Sequence, residues 1–179
     1  MDQYVLRIRG LCGAGKTTLA RRLQPLLGAR IFEIGSYRRR YREELDSWDL
    51  MMKDIDTHIN QGGRAIVPTT GLNANEYRLD LMPNAPLTWL DADLQTLDTR
   101  VRSKPFWERG YLNFLGLPIY QELGTKFKFN RKFENLYRDR QTRGLRLDAL
   151  DSPENLCLSV LNYLKSLDFT YPVDPEERR

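Results

Sequence analysis

A run of eight residues near the start of the chain has the types and spacing needed to wrap around a phosphate group. The run, Gly10-Leu-Cys-Gly-Ala-Gly-Lys-Thr17, fits G-x-x-x-x-G-K-[ST] at every fixed position. Glycines let the backbone approach phosphate oxygens closely, with successive N–H groups pointing inward. The lysine of this pattern can reach the β- and γ-phosphates, and the hydroxyl that follows it can ligate Mg²⁺. The spacing therefore predicts a site for ATP and Mg²⁺, with Lys16 as a catalytic cation and Thr17 as the metal ligand.

The sequence on either side of this run supports the same interpretation. Residues 4–9 form an apolar-rich run with β-branched members that stops at Gly10, as a strand entering a tight turn would. Leucines then recur at helical spacing as far as Gly28, which is placed to cap a helix, although Pro25 predicts a kink or an end near Gln24. The positive end of this helix dipole would lie beneath the anion. The predicted nucleotide contacts are Gly10, Cys12, Gly13, Ala14, Gly15, Lys16, Thr17 and Thr18.

Strands and helices alternate along the rest of the chain. Further strands are predicted at 31–34, 64–67, 86–90 and 145–148. Helices are predicted at 36–45, 48–59, 73–81, 94–101, 119–141 and 153–167, the fourth capped by Asp91 or Asp93 and the last by Ser152. Such alternation predicts an α/β fold with a parallel sheet covered on both faces. We expect one three-layer α/β/α domain over residues 1–170 with five parallel strands, a lid-like insertion at about 103–120 and a C-terminal tail at 171–179.

Composition restricts the class of protein further. A chain of 179 residues and 21.0 kDa suits one domain with a continuous core. No stretch approaches the roughly 20 apolar residues of a membrane span, and Arg7 and Arg9 interrupt the first apolar run, unlike a secretion signal. We therefore expect a cytoplasmic protein without a membrane partner, in which Cys12 and Cys157 are reduced thiols. The net charge of +4 indicates anionic substrates, nucleic acid, or an uneven surface charge without a role.

Candidate acceptor-binding residues follow the predicted second and third strands, because ligands of an open parallel sheet collect at the carboxyl ends of its strands. Glu33 could hold Mg²⁺ through water or accept a proton from an attacking hydroxyl, or it could pair with a nearby arginine as part of the structure. Arginines at 38, 39, 40 and 42 wrap around a helix, so some of them must face solvent. Arg38 or Arg39 is placed to bind a phosphate of an acceptor, and Thr70 follows the third strand.

The third strand lacks the acid that completes the magnesium site beside such a loop in many nucleotide-binding proteins. Val67 is followed by Pro68-Thr-Thr-Gly71, with no aspartate. Either Glu33 takes over the acidic role, or hydroxyl groups and bound water complete the metal shell. The missing acid also leaves open a module that binds nucleotide without turning it over.

The order of these features resembles the small P-loop kinases. A strand, G-x-x-x-x-G-K-T, a short second strand with a G-x-Y-R-R turn, and a late L-Y-x-x-R are similar to those of nucleoside monophosphate kinases, shikimate-type kinases, adenylylsulfate kinase and polynucleotide 5′-kinases. Gly35-Ser-Tyr-Arg-Arg39 resembles the segment after the second strand of 6-phosphofructo-2-kinases. Thr69-Thr-Gly-Leu-Asn73 resembles the D-A-T-x-x-N stretch of that enzyme and of polynucleotide kinases, without its aspartate. The resemblance covers residues 4–167, but only the phosphate loop is highly specific.

The resemblance implies a mobile lid after the fourth strand, whose basic residues neutralise the transferring phosphoryl group. Arg100, Lys104 and Arg109 occupy the matching region. By resemblance, Arg100 would pack on the adenine, while Lys104 and Arg109 would approach the phosphates, Arg109 as a catalytic cation. Arg138, in the closing element, would contact nucleotide. The aromatic residues between 105 and 120 would cover the substrate, or they would complete the core or a dimer.

These observations favour an ATP-dependent phosphotransferase (a kinase) acting on a small phosphorylated or anionic acceptor. A polynucleotide 5′-kinase is an alternative that the basic charge and the T-T-G-L-N stretch allow, although no second basic arm demands nucleic acid. A non-catalytic nucleotide-binding module is the third hypothesis. A GTPase is disfavoured because the chain has no N-K-x-D signature. The acceptor and the oligomeric state stay open.

Overall fold

Parallel strands and the helices that connect them make up the part of the chain described by a computed structural model, residues 3–41, 43–82, 84–103, 126–139, 141 and 143–169. The strands are β1 (Val5–Gly10), β2 (Arg30–Ile31), β3 (Ala65–Thr69), β4 (Leu87–Asp91) and β5 (Leu145–Asp148). The helices are α1 (Lys16–Leu27), α2 (Ile34–Arg38), α3 (Glu44–Asn60), α4 (Tyr77–Asp80), α5 (Leu94–Arg102), α6 (Lys126–Asp139) and α7 (Pro153–Ser166). A 3₁₀ turn (Ala74–Glu76) precedes α4.

The central strand of the sheet is β1, and it determines where the loop lies. The strand order is β2-β3-β1-β4-β5, and all pairs are parallel. The last residues of β1, Arg9 and Gly10, lie beside Thr69 of β3 and Leu90 of β4. After β1 the chain crosses to β2, returns to β3 and then crosses to β4, so the strand order changes direction beside β1. Such a change leaves a crevice at the carboxyl ends of the strands, where ligands bind.

Apolar side chains pack against both faces of this sheet. Leu6 and Ile8 of β1 belong to one buried cluster, and Val5 belongs to the other, as expected for alternating residues of a strand. The first cluster is completed by leucines of α1 and α7, and the second by Trp48 and Ile55 of α3. Helices therefore cover both faces, which confirms the predicted three-layer α/β/α fold with a five-stranded parallel sheet.

The segment between β2 and α3 differs from its prediction. A single helix carrying Tyr37, Tyr41 and Leu45 on one face is wrong, because α2 and α3 are separate helices. The hydroxyl of Tyr37 donates to the Asp54 carboxylate of α3 at 2.9 Å, and burial together with this bond raises the pKa of Tyr37 to about 12. This contact draws α2 onto α3 and requires a turn between them. Tyr41 and Leu45 are left 38% and 53% exposed.

Two element boundaries also differ from those predicted. The first helix does not end near Gln24 but continues through Pro25 to Leu27, where Gly28 takes the left-handed cap conformation with φ of 58°. Leucines on both sides of Pro25 are buried against the sheet, and this packing holds the last turn in place. The second strand ends at Ile31, short of the predicted Ile34, because α2 begins immediately after Glu33.

Two predicted helix caps are confirmed. Asp93 accepts a hydrogen bond from the Thr96 N–H at 2.8 Å at the start of α5. Ser152 accepts one from the Asn155 N–H at 3.2 Å at the start of α7. Both side chains satisfy N–H groups that a helix start leaves without an internal partner.

Some predictions concern residues outside the described ranges. These are the lid-like insertion beyond Ser103, with Lys104 and Arg109, and the tail at 171–179. Within the described ranges, Cys12 and Cys157 are buried thiols. None of the helices found there has both the length and the apolar character needed to cross a membrane.

Candidate functional site

The loop between β1 and α1 turns through two glycines in the left-handed conformation. Gly13 and Gly15 have φ of 92° and 90°, a region that favours glycine. A Cβ on Gly13 would lie 2.9 Å from the Leu97 carbonyl oxygen of α5, and one on Gly10 would lie 2.9 Å from the Leu90 carbonyl oxygen. A Cβ on Gly15 would meet no atom of the described residues within 4 Å. The loop is therefore packed against the protein at Gly10 and Gly13 and open at Gly15.

The first turn of α1 presents N–H groups that no carbonyl of the helix accepts. Gly15 occupies the cap position, and no side chain caps the helix. The first bond within the helix runs from the Leu19 N–H to the Gly15 carbonyl at 2.9 Å. The N–H groups of Lys16, Thr17 and Thr18 precede it, at the positive end of the helix dipole. A helix start of this kind binds anions.

The side chains of Lys16 and Thr17 suit the same anion. The Lys16 Nζ donates to the Leu11 carbonyl oxygen at 2.9 Å, which keeps its charge beside the loop. The half-buried Thr17 hydroxyl has no hydrogen-bond partner within the described part of the chain. No group of three His, Cys, Asp or Glu residues in that part could hold a metal. The Thr17 hydroxyl could be one ligand of a Mg²⁺ ion that also binds nucleotide phosphates and water, because this ion keeps several water ligands.

Cys12 and Ala14 shape the loop from its outer side. Both residues are buried. The Cys12 N–H donates to the Asn130 side chain at 2.9 Å, and the Ala14 N–H donates to the Leu11 carbonyl at 3.2 Å. Since these two N–H groups are engaged within the protein, we expect phosphate contacts from the glycine amides and the first turn of α1.

Glu33 lies at the cap position of α2, immediately after β2. Its half-buried carboxylate makes no capping bond to the helix, and none of the described residues forms an ion pair with it. The residue lines a cavity of about 300 Å³ together with Arg21, Gln24, Arg30, Ile31, Ser36, Tyr37, Arg40 and Asp54. A carboxylate in such a polar cavity is available to a ligand.

The two arginines predicted to bind an acceptor phosphate have different surroundings. The side chain of Arg38 is 9% exposed, and its Nε donates to Glu44 Oε2 at 2.7 Å. Glu44 also accepts from Asn73 Nδ2 at 2.7 Å, so the pair joins α2 to the turn after β3. Arg39 is exposed and donates to Ser36 Oγ at 3.0 Å. Arg38 thus joins α2 to the turn after β3 through Glu44, whereas the Arg39 guanidinium lies at the surface.

The turn after β3 is organised by an acid that the sequence analysis missed. Glu76 is 3% exposed and accepts from the Thr69 hydroxyl at 2.9 Å, while the predicted substrate-binding residue Thr70 has its hydroxyl 3.5 Å from the same carboxylate. Burial raises the pKa of Glu76, against the opposing effects of Arg9 and the Thr69 hydrogen bond. The available signal was that Glu76 is the first acid after Gly71. Because its carboxylate is buried, Glu76 shapes the turn instead of meeting a metal at the surface.

Two arginines of β1 form a buried ion-pair cluster beneath this turn. Arg7 and Arg9 are each 5% exposed, and both contact Asp80 of α4. The Arg9 Nε lies 3.6 Å from Glu76 Oε2, and its guanidinium lies over the Trp89 ring at 5.4 Å. A cavity of about 560 Å³ is lined by Arg9, Gly71, Asn73, Ala74, Glu76, Tyr77, Asp80, Leu87, Asp139 and Arg143. The arginines that interrupt the first apolar run therefore support the turn beside the loop.

Solved structures of known kinases resemble this fold over nearly its whole length. An unliganded sugar kinase from Janibacter sp. HTCC2649 is 15% identical, with a TM-score of 0.60 over 92% of this chain and 95% of that one. A gluconokinase from Sinorhizobium meliloti 1021 is 15% identical, with a TM-score of 0.59 over 92% and 93%. A shikimate kinase from Acinetobacter baumannii in complex with shikimate is 16% identical, with a TM-score of 0.58 over 94% and 97%. The chain shares its fold with these kinases.

Comparison at the level of sequence gives no such relative. No protein-family model matches the chain, and no curated protein matches it either. The chain therefore shares the backbone fold of the compared kinases although its sequence is only 15% or 16% identical to theirs.

Arg100 and Arg138, which the resemblance implies as nucleotide-binding residues, both make contacts with other parts of the chain. Arg100 of α5 donates to the Ala149 carbonyl at 2.8 Å and so joins α5 to the turn after β5. Arg138 of α6, whose side chain is 52% exposed, pairs with Glu134 one turn earlier at 3.0 Å. The two arginines lie on different helices, and no contact among the described residues joins their side chains.

Replacing Glu76 with glutamine should destabilise the fold by about 1–3 kcal/mol, because it removes one of the two carboxylates beside the buried Arg9 and leaves Asp80 as the other. The side chain keeps its size, so a cavity does not contribute. The control is Glu134→Gln, which removes an ion pair whose side chains are 52% and 28% exposed and should change stability by less than about 1 kcal/mol. Urea unfolding followed by circular dichroism measures both values. Equal, small changes in the two variants would show that Glu76 does not hold the turn.

Proposed function

We propose that this protein is an ATP-dependent phosphotransferase whose acceptor is a small phosphorylated or anionic molecule. The observation that carries the proposal is that a phosphate loop and a carboxylate each follow the carboxyl end of a parallel strand. The phosphate loop follows the carboxyl end of β1, and the Glu33 carboxylate follows the carboxyl end of β2. A donor of phosphate and a group that can accept a proton are the two requirements of a kinase site.

On the nucleotide side, the loop and its flanks have separable roles. The N–H groups of the first turn of α1 and the Lys16 ammonium stabilise the charge on the phosphates. Mg²⁺, held by Thr17, would supply further positive charge to the phosphate oxygens. Arg100, joined to the turn after β5, is proposed to pack on the adenine. Lys104, Arg109 and Arg138 are proposed to contact the nucleotide, as the resemblance to P-loop kinases implies.

On the acceptor side, charge supports an anionic molecule. Arg21, Arg30 and Arg40 line the same cavity as Glu33, and Arg39 lies exposed beside it. Three cations against the carboxylates of Glu33 and Asp54 leave the cavity with a net positive charge. The Glu33 carboxylate would accept the proton of the attacking hydroxyl. Arg38 and Thr70 are proposed to contribute to acceptor binding through the segments that they join to Glu44 and Glu76. The sugar kinase, gluconokinase and shikimate kinase that share the fold support a small acceptor.

A transfer assay with γ-labelled ATP tests the proposal. The protein and Mg²⁺ are incubated with sugar acids, sugar phosphates, nucleoside monophosphates and a 5′-hydroxyl oligonucleotide, each as a separate arm. We expect label in a small anionic acceptor and none in the arm without acceptor. Label in the oligonucleotide alone would replace the proposal with a polynucleotide 5′-kinase. Tight ADP binding with no labelled product in any arm would favour a non-catalytic module, which the absence of an acid directly after β3 also suggests.

A further inference from the structure

A buried amide from α6 holds the outer side of the phosphate loop. Asn130 is 0% exposed. Its Oδ1 accepts from the Cys12 N–H at 2.9 Å, and its Nδ2 donates to the Cys12 carbonyl at 2.8 Å. One side chain thus satisfies both polar groups of a single residue inside the loop, across a separation of 118 residues in the chain.

The pairing matches the chemistry of an asparagine side chain. A carboxamide offers one acceptor and one donor on neighbouring atoms, which is what a residue's N–H and C=O require. An ionised aspartate could not donate to the Cys12 carbonyl, and a leucine of similar volume could do neither. Since an unsatisfied buried polar group is destabilising, loss of the amide would release Cys12 from its position.

The loop is held on a second side by α5. Gly13 follows Cys12 and lies so close to α5 that a Cβ would meet the Leu97 carbonyl oxygen at 2.9 Å and Val101 Cγ2 at 3.2 Å. The outer turn of the loop is therefore fixed between α5 and α6. On the other side, the loop is open at Gly15, where a Cβ would meet no described atom within 4 Å.

Docking of α6 does not depend on Asn130. The Tyr137 hydroxyl donates to the Leu90 carbonyl at 2.8 Å, and the Tyr137 ring packs edge-on against Trp89 with centroids 5.3 Å apart. Phe129 of the same helix is also buried. A change confined to Asn130 is therefore expected to act on the loop more than on the helix.

We propose that Asn130 is a positioning residue of the nucleotide site: by fixing both polar groups of Cys12, it sets the curvature that turns the inner amides of the loop toward phosphate. The inference rests on the nucleotide binding contained in the proposed function. It adds a contact from α6 that contributes to affinity without touching the ligand. Preorganisation of this kind lowers the free energy needed to order a loop on binding.

Two variants and a control test this proposal by calorimetric titration with ADP and Mg²⁺. Asn130→Leu removes both hydrogen bonds and should raise the Kd for ADP by about tenfold or more. Ile55→Ala, in α3 on the opposite face of the sheet, removes buried apolar volume far from the loop. It should lower the unfolding temperature and leave the Kd unchanged. Hydrogen exchange in the nucleotide-free proteins should show the Cys12 N–H protected in the unaltered chain and unprotected in Asn130→Leu.

Asn130→Asp adds a readout that a purely structural residue would not give. Above its pKa, the introduced carboxylate cannot donate to the Cys12 carbonyl, and its charge repels the phosphates of ADP. Below its pKa, the neutral carboxyl has the donor and acceptor of the original amide. The ratio of its Kd to that of the unaltered protein should therefore fall toward one as the pH is lowered from about 8 to about 5, because burial raises the pKa of a carboxyl into that range.

The outcomes separate this inference from the proposed function. A Kd for ADP that is equal in Asn130→Leu and the unaltered protein would overturn the positioning role, whatever the exchange rates. A raised Kd that Ile55→Ala reproduces would also overturn it, because the effect would then follow global stability. A raised Kd confined to Asn130→Leu, with pH-dependent recovery in Asn130→Asp, supports the role even if no acceptor is ever phosphorylated. Failure of the unaltered protein to bind ADP would overturn both.

Discussion

Replacing Lys16 with methionine should lower kcat/KM for phosphoryl transfer by roughly 10³-fold, the scale found when one preorganised charge-stabilising group is removed from an active site. Methionine keeps most of the length of the side chain and removes its charge and its hydrogen-bond donors. The Lys16 Nζ is held 2.9 Å from the Leu11 carbonyl, so the ammonium already lies beside the loop. Phosphoryl transfer depends mainly on positioning and on charge stabilisation. Loss of the Lys16 ammonium is therefore expected to lower kcat as well as nucleotide affinity.

The matched control for Lys16 is Lys53→Met in α3. Lys53 is exposed and lies on a helix that packs on the opposite face of the sheet from α1. Both variants change the net charge of +4 by the same unit, so a general electrostatic effect on an anionic substrate would appear in both. Calorimetry with ADP measures nucleotide affinity, and the γ-phosphate transfer assay measures turnover. Micromolar ADP affinity and normal turnover in Lys16→Met would refute the assignment of the loop.

The elements that local patterns specify could be predicted from the sequence. The strand before Gly10, the helix after it and the strand at Leu145–Asp148 are short segments whose spacing and caps point to one structure. The helical spacing of Tyr37, Tyr41 and Leu45 points to a helix as well, yet the chain turns there. The hydrogen bond from Tyr37 to Asp54 joins residues 17 apart, and a periodicity argument cannot include such a contact.

The residues that contact the candidate site residues could not be predicted either, because these contacts join parts of the chain that are distant in sequence. The sequence predicts Arg38 or Arg39 as a cation that binds the acceptor, and only the fold pairs Arg38 with Glu44, which also accepts from Asn73. The contact between Asn130 and Cys12 spans 118 residues. In contrast, the loop itself is a local motif, whose backbone conformation and glycine pattern are encoded within a few positions. The sequence thus predicts candidate ligand-binding groups, and the fold identifies the residues that contact them.

Two glutamates in this fold are candidates for the acid that would accompany the phosphate loop. Glu76, the first acid after β3, is buried with Arg9 and Thr69 and serves the turn. Glu33, after β2, has no ion-pair partner among the described residues and lines a cavity. A buried, paired carboxylate stabilises structure, whereas a half-buried carboxylate facing a polar cavity can exchange protons with a ligand. Catalysis is therefore expected to depend on Glu33.

Replacing Glu33 with glutamine should lower kcat by roughly 10²–10⁴-fold, the range that general base catalysis contributes. The amide keeps the shape of the side chain and cannot accept the proton of an attacking hydroxyl. The Kd for ADP should stay unchanged, because Glu33 belongs to the end of β2 and not to the phosphate loop. The transfer assay with the acceptor found in the screen gives kcat, and calorimetry gives the Kd.

The control for Glu33 is Glu43→Gln, which removes an exposed carboxylate at the cap position of α3, where it makes no capping bond. It should leave both kcat and the Kd unchanged. If Glu33 only supported the structure, Glu33→Gln would lower the unfolding temperature while kcat stayed near that of the unaltered protein. A fall in kcat with intact ADP binding and intact stability is the one pattern that a proton-accepting carboxylate explains. That pattern would also account for a P-loop kinase fold that works without an acid directly after its third strand.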